Sequence, residues 1–277
     1  MQKSFDVAGP VELEIRLASG DIRIDPSLDG RVEVELTGHD EESQRLVEDA
    51  EVWLRESHGR PLVYIELPNR RSFSFSLFGR SGVACRVRCP QGSLVSAKTK
   101  SADVEVSGTI GGLNVATASG EVDADRVEGG VNVKSASGDV DVREVTGGVN
   151  VQTASGDVEI RVVRGGLNVN SASGDVIIGA AYDSVNVNTV SGDQEHTAVM
   201  RGNVHANSVS GDVTIGVRRG SKVFLDCNTM SGDTSSELEM TDAPTGDGPM
   251  VEIRAKTVSG DIRITRAPAP SEQEVHA

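Results

Sequence analysis

Between residues 101 and 266 apolar and polar positions alternate in short runs, and each run stops at a glycine. Val131-Asn132-Val133-Lys134 is one such run, and Val140-Asp141-Val142 is the next. Period-two alternation bounded by Gly-rich turns predicts short β-strands with alternate side chains on opposite faces. No helical period fits between glycine breaks so closely spaced. The runs also recur. Ser-Gly-Asp or a near variant begins at Ser101, Ser119, Ser137, Ser155, Ser173 and Ser191, in steps of 18 residues. It returns at Ser210, Ser231 and Ser259 after steps of 19, 21 and 28, with an outlying copy at Ser19-Gly20-Asp21. Half a repeat away stand Gly111-Gly112, Gly129-Gly130, Gly147-Gly148 and Gly165-Gly166.

A fixed period this short predicts a solenoid, in which equivalent positions stack roughly 4.8 Å apart on successive coils. Its apolar columns would be Val127, Val145, Val163, Ala181 and Val199; Val122, Val140, Val158 and Val176; and Leu113, Val131, Val149, Leu167 and Val185. Thr117, Ser135, Thr153, Ser171 and Thr189 form a hydroxyl column near a corner. The expected fold class is all-β, a parallel β-solenoid of 18-residue coils with one short helix near the N-terminus. A chain of β-hairpins is the competing topology, because two-residue Gly turns also reverse a chain.

Two polar columns invite functional readings. Asn114, Asn132, Asn150, Asn168 and Asn186 alternate with inward Val and so point outward, either as a flat binding face or as an amide ladder that sets register. Asp139, Asp157, Asp175 and Asp193 would stack as like charges, which repel unless solvent or a cation separates them. Calcium would fit such oxygen donors. The plainer reading has Ser and Asp bonding local backbone N–H groups while Gly takes a positive φ.

One coil departs from the pattern. An 18-residue alignment puts Gln194 where Val176 stood and His196 where Ile178 stood, and His205 falls in the Asn column. Such departures concentrate at functional or strained places. The bland reading is a bulge that turns the segment outward; the sharper one is a hidden polar site with two histidines near each other.

Residues 1–38 read as strands from Val11, Leu13, Ile15 and Leu17, then Ile22 and Ile24, then Val32, Val34 and Leu36. Asp40 to Ala50 opens with acidic residues, which suit the positive end of a helix dipole, and is the good helix candidate. Val52 to Glu56 and Leu62 to Leu67 look like a hairpin. Phe73, Phe75 and Phe78 lie in a polar loop, either a contact surface or a flap over an apolar end. Residues 1–100 would thus cap a solenoid of residues 101–266, with a loop from Ser235 to Pro249 before a final strand pair at Ile262–Ile264. Residues 267–277 read as a disordered tail.

Only 3% of the residues are aromatic, so the core rests on small β-branched residues, which suit narrow stacked interiors. The net charge of −15 speaks against nucleic acid and against plain electrostatic docking on an anionic membrane. Cys85 and Cys89 would sit roughly 13 Å apart on one strand at about 3.3 Å per residue, too far for a disulfide. With Cys227 they read as small hydrophobes. No apolar leader or membrane-length run stands out. A cytoplasmic location, or a peripheral one at the membrane, is expected.

The layout resembles the bacterial putative-adhesin β-strand-repeat family, the Toast-rack domains. An early strand with Ser19-Gly20-Asp21 precedes an acidic helix around 41–50. A hairpin follows, then Arg88-Cys89-Pro90-Gln91-Gly92 and the repeated Ser-Gly-Asp coils. The resemblance implies a right-handed, single-stranded β-helix and an association with envelope-stress systems, and it brings no catalytic residues. His39, His58, His196, His205 and His276 show no metal-ligand spacing, and the Gly pairs lack the lysine of a phosphate loop. No catalytic, cofactor or metal residue is therefore assigned, and no cofactor is expected. The leading reading is a non-enzymatic scaffold whose partner is another protein or a second copy of itself. A surface adhesin or glycan-binding module is the alternative, and a β-helix carbohydrate-active enzyme comes third.

Overall fold

The computed structural model describes residues 1–57, 59–68, 82–238 and 248–267. It falls into two compact units: residues 1–147 with 151–153, and residues 148–150 with 154–277. Both are stacks of parallel coils, each coil contributing a strand to two walls, so the chain is a parallel β-solenoid rather than a hairpin array. In chain order the first strands are β1 (Gln2–Asp6), β2 (Glu12–Asp25) and β3 (Arg31–Gly38), followed by helix α1 (Glu41–Glu48), then β4 (Glu51–Ser57), β5 (Arg60–Glu66) and β6 (Val83–Arg88). Next come β7 (Leu94–Ile110), β8 (Gly112–Ala116), β9 (Val122–Val127), β10 (Val131–Lys134), β11 (Val140–Val145) and β12 (Val149–Thr153). The rest are β13 (Val158–Val163), β14 (Leu167–Ser173), β15 (Val176–Ala181), β16 (Val185–Ser191), β17 (Gln194–Val199) and β18 (Gly202–Asn207), then β19 (Val213–Val217), β20 (Lys222–Ser231), β21 (Thr234–Ser236), β22 (Met250–Ser259) and β23 (Ile262–Arg266).

In the first unit β2 and β7 are long enough to bend through a corner and serve both walls. The start of β2 pairs in parallel with β5 and its end with β6, while β7 runs along its other side in register from Glu12↔Leu94 to Ile24↔Val106. β8 and β10 continue one wall, and β9 and β11 the other. The outer side of the β5–β6 coil is covered by antiparallel strands: β4 on β5, and β3 on β6 with β1 beyond. The hairpin at 52–67 is therefore real. Helix α1 starts where Asp40 caps it. The Asp40 carboxylate accepts the Ser43 N–H at 2.7 Å while the Ser43 hydroxyl accepts the Asp40 N–H at 3.0 Å, a reciprocal capping box that satisfies two otherwise orphan donors.

In the second unit β14, β16 and β18 form one wall and β13, β15, β17 and β19 the other. The 18-residue columns hold: Val163, Ala181 and Val199 are each at most 1% exposed, as are Val127 and Val145 in the first unit. These interiors are narrow, so aliphatic side chains of one size at one height fill them without voids.

The last coils are not stacked in chain order. β22 and β23 pair with β18 and β19 on one side and with β20 and β21 on the other. The pair at Ile262–Ile264 therefore fills an interior slot, and the coil 222–236 is outermost. This corrects the expectation that 262–264 closes the stack. Burial explains the exchange. Val251, Ile253, Ala255, Ile262 and Ile264 are fully buried, whereas Val223, Leu225 and Cys227 are half-buried and Thr234 to Ser236 exposed. The more apolar coil takes the slot with neighbours on both sides, which removes more apolar area from water. Ser235 and Ser236 belong to β21, so the loop before β22 begins later than expected. Phe73, Phe75, Phe78, His58 and residues 268–277 lie outside the described residues.

Candidate interaction site

The stacked aspartates do not face one another as bare charges. Asp157 accepts the backbone N–H of Asp175, Asp175 that of Asp193, Asp193 that of Asp212, Asp212 that of Asp261, and Asp261 that of Asp233, each at 2.8 Å. In the first unit Asp103 accepts the N–H of Glu121 at 3.0 Å. Each carboxylate is thus held by a donor of the next coil rather than a local one, and the backbone dipole offsets the like-charge repulsion. The corner hydroxyls do bond locally: Thr117 accepts the Gly120 N–H and Ser135 the Gly138 N–H, both at 2.8 Å. Among the described residues no group of three or more His, Cys, Asp or Glu side chains is arranged to hold a metal ion. The aspartates of these turns serve the stack through these bonds.

The asparagine column is a ladder of outward amides. Asn132 donates to Asn114 at 2.8 Å in the first unit; in the second, Asn186 donates to Asn168 at 2.8 Å and Asn168 to Asn150 at 2.9 Å. A parallel ladder runs from Asn207 to Asn188 to Asn170. His205 stands opposite Asn186 in the first of these columns, outward and half-exposed between buried Val204 and Ala206.

Gln194 and His196 are inside, which corrects the bulge reading. They occupy the places of Val176 and Ile178 in register and are each 1% exposed. A register shift does occur, but between His196 and Val199, after both side chains have pointed inward. Gln194 spans the interior: its Nε2 donates to the Thr189 hydroxyl and to the Asn207 carbonyl, both at 2.8 Å. Its Oε1, both ring nitrogens of His196 and the Ser208 hydroxyl have no partner. Burial pushes the His196 pKa down to about 4, so the ring is neutral. His196 points inward from β17 and His205 outward from β18 on the other wall, so the two do not converge.

Among the described residues, carboxylates line clefts on the first unit. One, of about 590 Å³, is lined by Glu12, Glu14, Leu62, Leu94, Gly112 and Asn132. Its two carboxylates lie side by side on β2, and Glu14 is bonded to Arg16 at 2.7 Å. The other, of about 210 Å³, is lined by Asp21, Asp103, Glu105, Glu121 and Asp123 from successive copies of the same turn, with Arg23 paired to Glu105 at 3.0 Å. Desolvation, then the neighbouring Asp141, raises the Asp123 pKa. Glycosidase chemistry needs an acid and a base on opposite sides of a sugar; Glu12 and Glu14 share one face of one strand, and the second set stacks on one wall. Cys85 and Cys89 are fully buried free thiols, and desolvation pushes them up to about 12 and about 11.

Among the described residues of the second unit, one apolar feature faces outward. Val190, Val209, Val258 and Met230 precede the aligned Ser191, Ser210, Ser259 and Ser231, so they form one ridge along the stack. They are 54, 49, 45 and 82% exposed. Earlier coils carry Ala154 and Ala172 at this place. The ridge ends at β20, whose other flank carries no strand among the described residues. Exposed Phe224 lies near the opposite end of β20, and exposed Met250 begins β22 beside Lys222. Each Val alone is an ordinary variant of the Ala at this place, and only the stacking of coils joins them into a ridge.

Repeated parallel coils with antiparallel strands at one end define a solenoid-type repeat protein. The chain belongs to the Toastrack DUF4097 family, whose model matches residues 11–265. No curated protein matches it. Solved structures similar to it include a putative adhesin from Parabacteroides distasonis ATCC 8503, 14% identical with a TM-score of 0.48 over 95% of this chain and 96% of that one. Another is a putative adhesin from Bacteroides fragilis NCTC 9343, 14% identical with a TM-score of 0.46 over the same shares. A third is a putative lipid binding protein from Parabacteroides distasonis ATCC 8503, 15% identical with a TM-score of 0.45 over 96% of each chain. No helix among the described residues is long and apolar enough to cross a membrane.

Proposed function

We propose that this chain is a non-enzymatic scaffold, a protein-interaction module that works in the cytoplasm or at the inner face of the membrane. The observation that carries the reading is the continuous apolar ridge Val190–Val209–Val258–Met230, which runs into an uncovered strand edge. Contiguous exposed apolar surface costs solubility and marks contact sites in soluble proteins. Along the described coils the walls also carry amides and carboxylates in repeating order, bonded from coil to coil. A link to bacterial envelope stress is the finer part of the proposal and rests on the Toast-rack resemblance. The test is a pull-down with tagged protein from fractionated host cells. Recovery from cytosol or membrane with envelope-stress proteins supports the reading. Recovery on the outer surface or in the medium without them overturns it in favour of adhesion.

A further inference from the structure

We infer that two copies of this chain pair through β20, antiparallel, about a two-fold axis at Phe224. The inference deepens the interaction-module reading and rests on it.

The backbone of β20 decides what can bind. Lys222 N–H donates to the Pro249 carbonyl at 2.9 Å, so Lys222 faces β22. In a parallel ladder successive residues direct their N–H and C=O groups to opposite sides. Val223, Leu225, Cys227 and Thr229 therefore direct theirs away from β22, where no described strand lies. Their side chains are the half-buried, inward set. An edge that offers both a hydrogen-bond row and an unfinished apolar interior takes another β-strand.

The sequence of the edge selects a second copy. In an antiparallel pair centred on Phe224, Lys222 stands opposite Asp226 of the second copy, and this ion pair occurs twice. Phe224 meets Phe224 at the axis. Val223 meets Leu225, so inward apolar residues remain inward and exchange the outward-directed backbone bonds. The even-numbered pairs are then the non-hydrogen-bonded ones, whose side chains approach most closely. Centring one pair further along, on Asp226, would place two aspartates together. The outermost strands of the first unit offer no comparable edge. β1 and β4 carry Lys3, Asp6, Glu51, Arg55 and Glu56, and the Lys3 ammonium bonds the Val52 carbonyl at 2.6 Å. Charges of this kind guard an edge. Pairing is accordingly isologous and closes at two copies.

The test is the mass of the full chain in solution by sedimentation equilibrium, with charge-reversed variants. The wild type is expected to be dimeric at about 100 μM; a monomer there overturns the inference. Lys222→Glu and Asp226→Lys alone should each weaken the dimer about tenfold, and the double reversal should restore it, because only the proposed register sets these two residues opposite each other. A double variant no better than the singles overturns it. Val223→Pro removes an N–H that β22 does not use, so it should leave the circular dichroism intact and abolish the dimer. A folded, still dimeric Val223→Pro chain overturns it. If this variant unfolds, the charge cycle decides alone. A wild type that stays monomeric yet captures envelope proteins loses this inference and keeps the module reading; one that dimerises through β20 and captures nothing does the reverse.

Discussion

The Asp212 carboxylate accepts the backbone N–H of Asp261 at 2.8 Å, although 49 residues separate them in the chain. They are neighbours because β22 and β23 insert ahead of β20 and β21. The bond is one rung of a ladder that repeats with the same atoms on each coil of the second unit.

Asp212→Ala should therefore destabilise the protein by about 1 kcal/mol, since it leaves the Asp261 N–H without its acceptor. Asp212→Asn keeps an acceptor oxygen and should lose less. Urea midpoints of wild type and both variants at fixed pH check this, and an Asp212→Ala midpoint equal to that of wild type would show the ladder to be inert.

His196 sits between Ile178 and Ile215 in its column. His196→Ile should stabilise the protein at neutral pH by about 1–3 kcal/mol, because it removes two buried, unpartnered ring nitrogens. A drop in the denaturation midpoint would mean that the ring has a structural role the static contacts miss.

The same ring sets a pH dependence. Its pKa is about 4 in the folded chain against 6.5 ordinarily. The unfolded state thus binds the proton first as pH falls. Stability is full above about 6.5, declines as pH falls below it, and levels off below about 4. Between about pH 7 and pH 5 the wild type should lose roughly 2 kcal/mol more than His196→Ile. Parallel losses in the two proteins would remove His196 as the cause.

Glycines of the two turns of the repeat should differ sharply. Gly192 has φ 132°, and an added Cβ would lie 2.3 Å from the Gly174 carbonyl oxygen; Gly166 has an ordinary φ and 3.9 Å of room. Gly192→Ala should cost a few kcal/mol, whereas Gly166→Ala should be neutral or stabilise by about 0.4–1 kcal/mol through the unfolded state. Thermal melts of the two variants distinguish them.

Cys85 and Cys89 should resist thiol reagents in the native protein, with one thiol, Cys227, reacting in dilute solution and all three after denaturation. Desolvation raises all three pKa values, but only Cys227 is partly accessible. A second fast thiol in native protein would show that the first unit opens locally.

Much was legible in the chain itself. A period of 18 residues with Val, Leu or Ala at fixed phases determined the strands and their inward faces and favoured parallel stacking over hairpins, because each coil must present the same volume to the coil above it. Asp40 and the acidic residues after it marked the helix, since capping is a local matter of side chain and backbone. The tertiary structure alone decided three things. It put Gln194 and His196 inward, because the columns around them fix the register of β17 more strongly than two polar side chains oppose it. It gave the aspartates their backbone donors, which belong to the next coil and so leave no trace in local sequence. And it placed the coil 250–266 inside the coil 222–236, an order set by which of the two loses more by facing water.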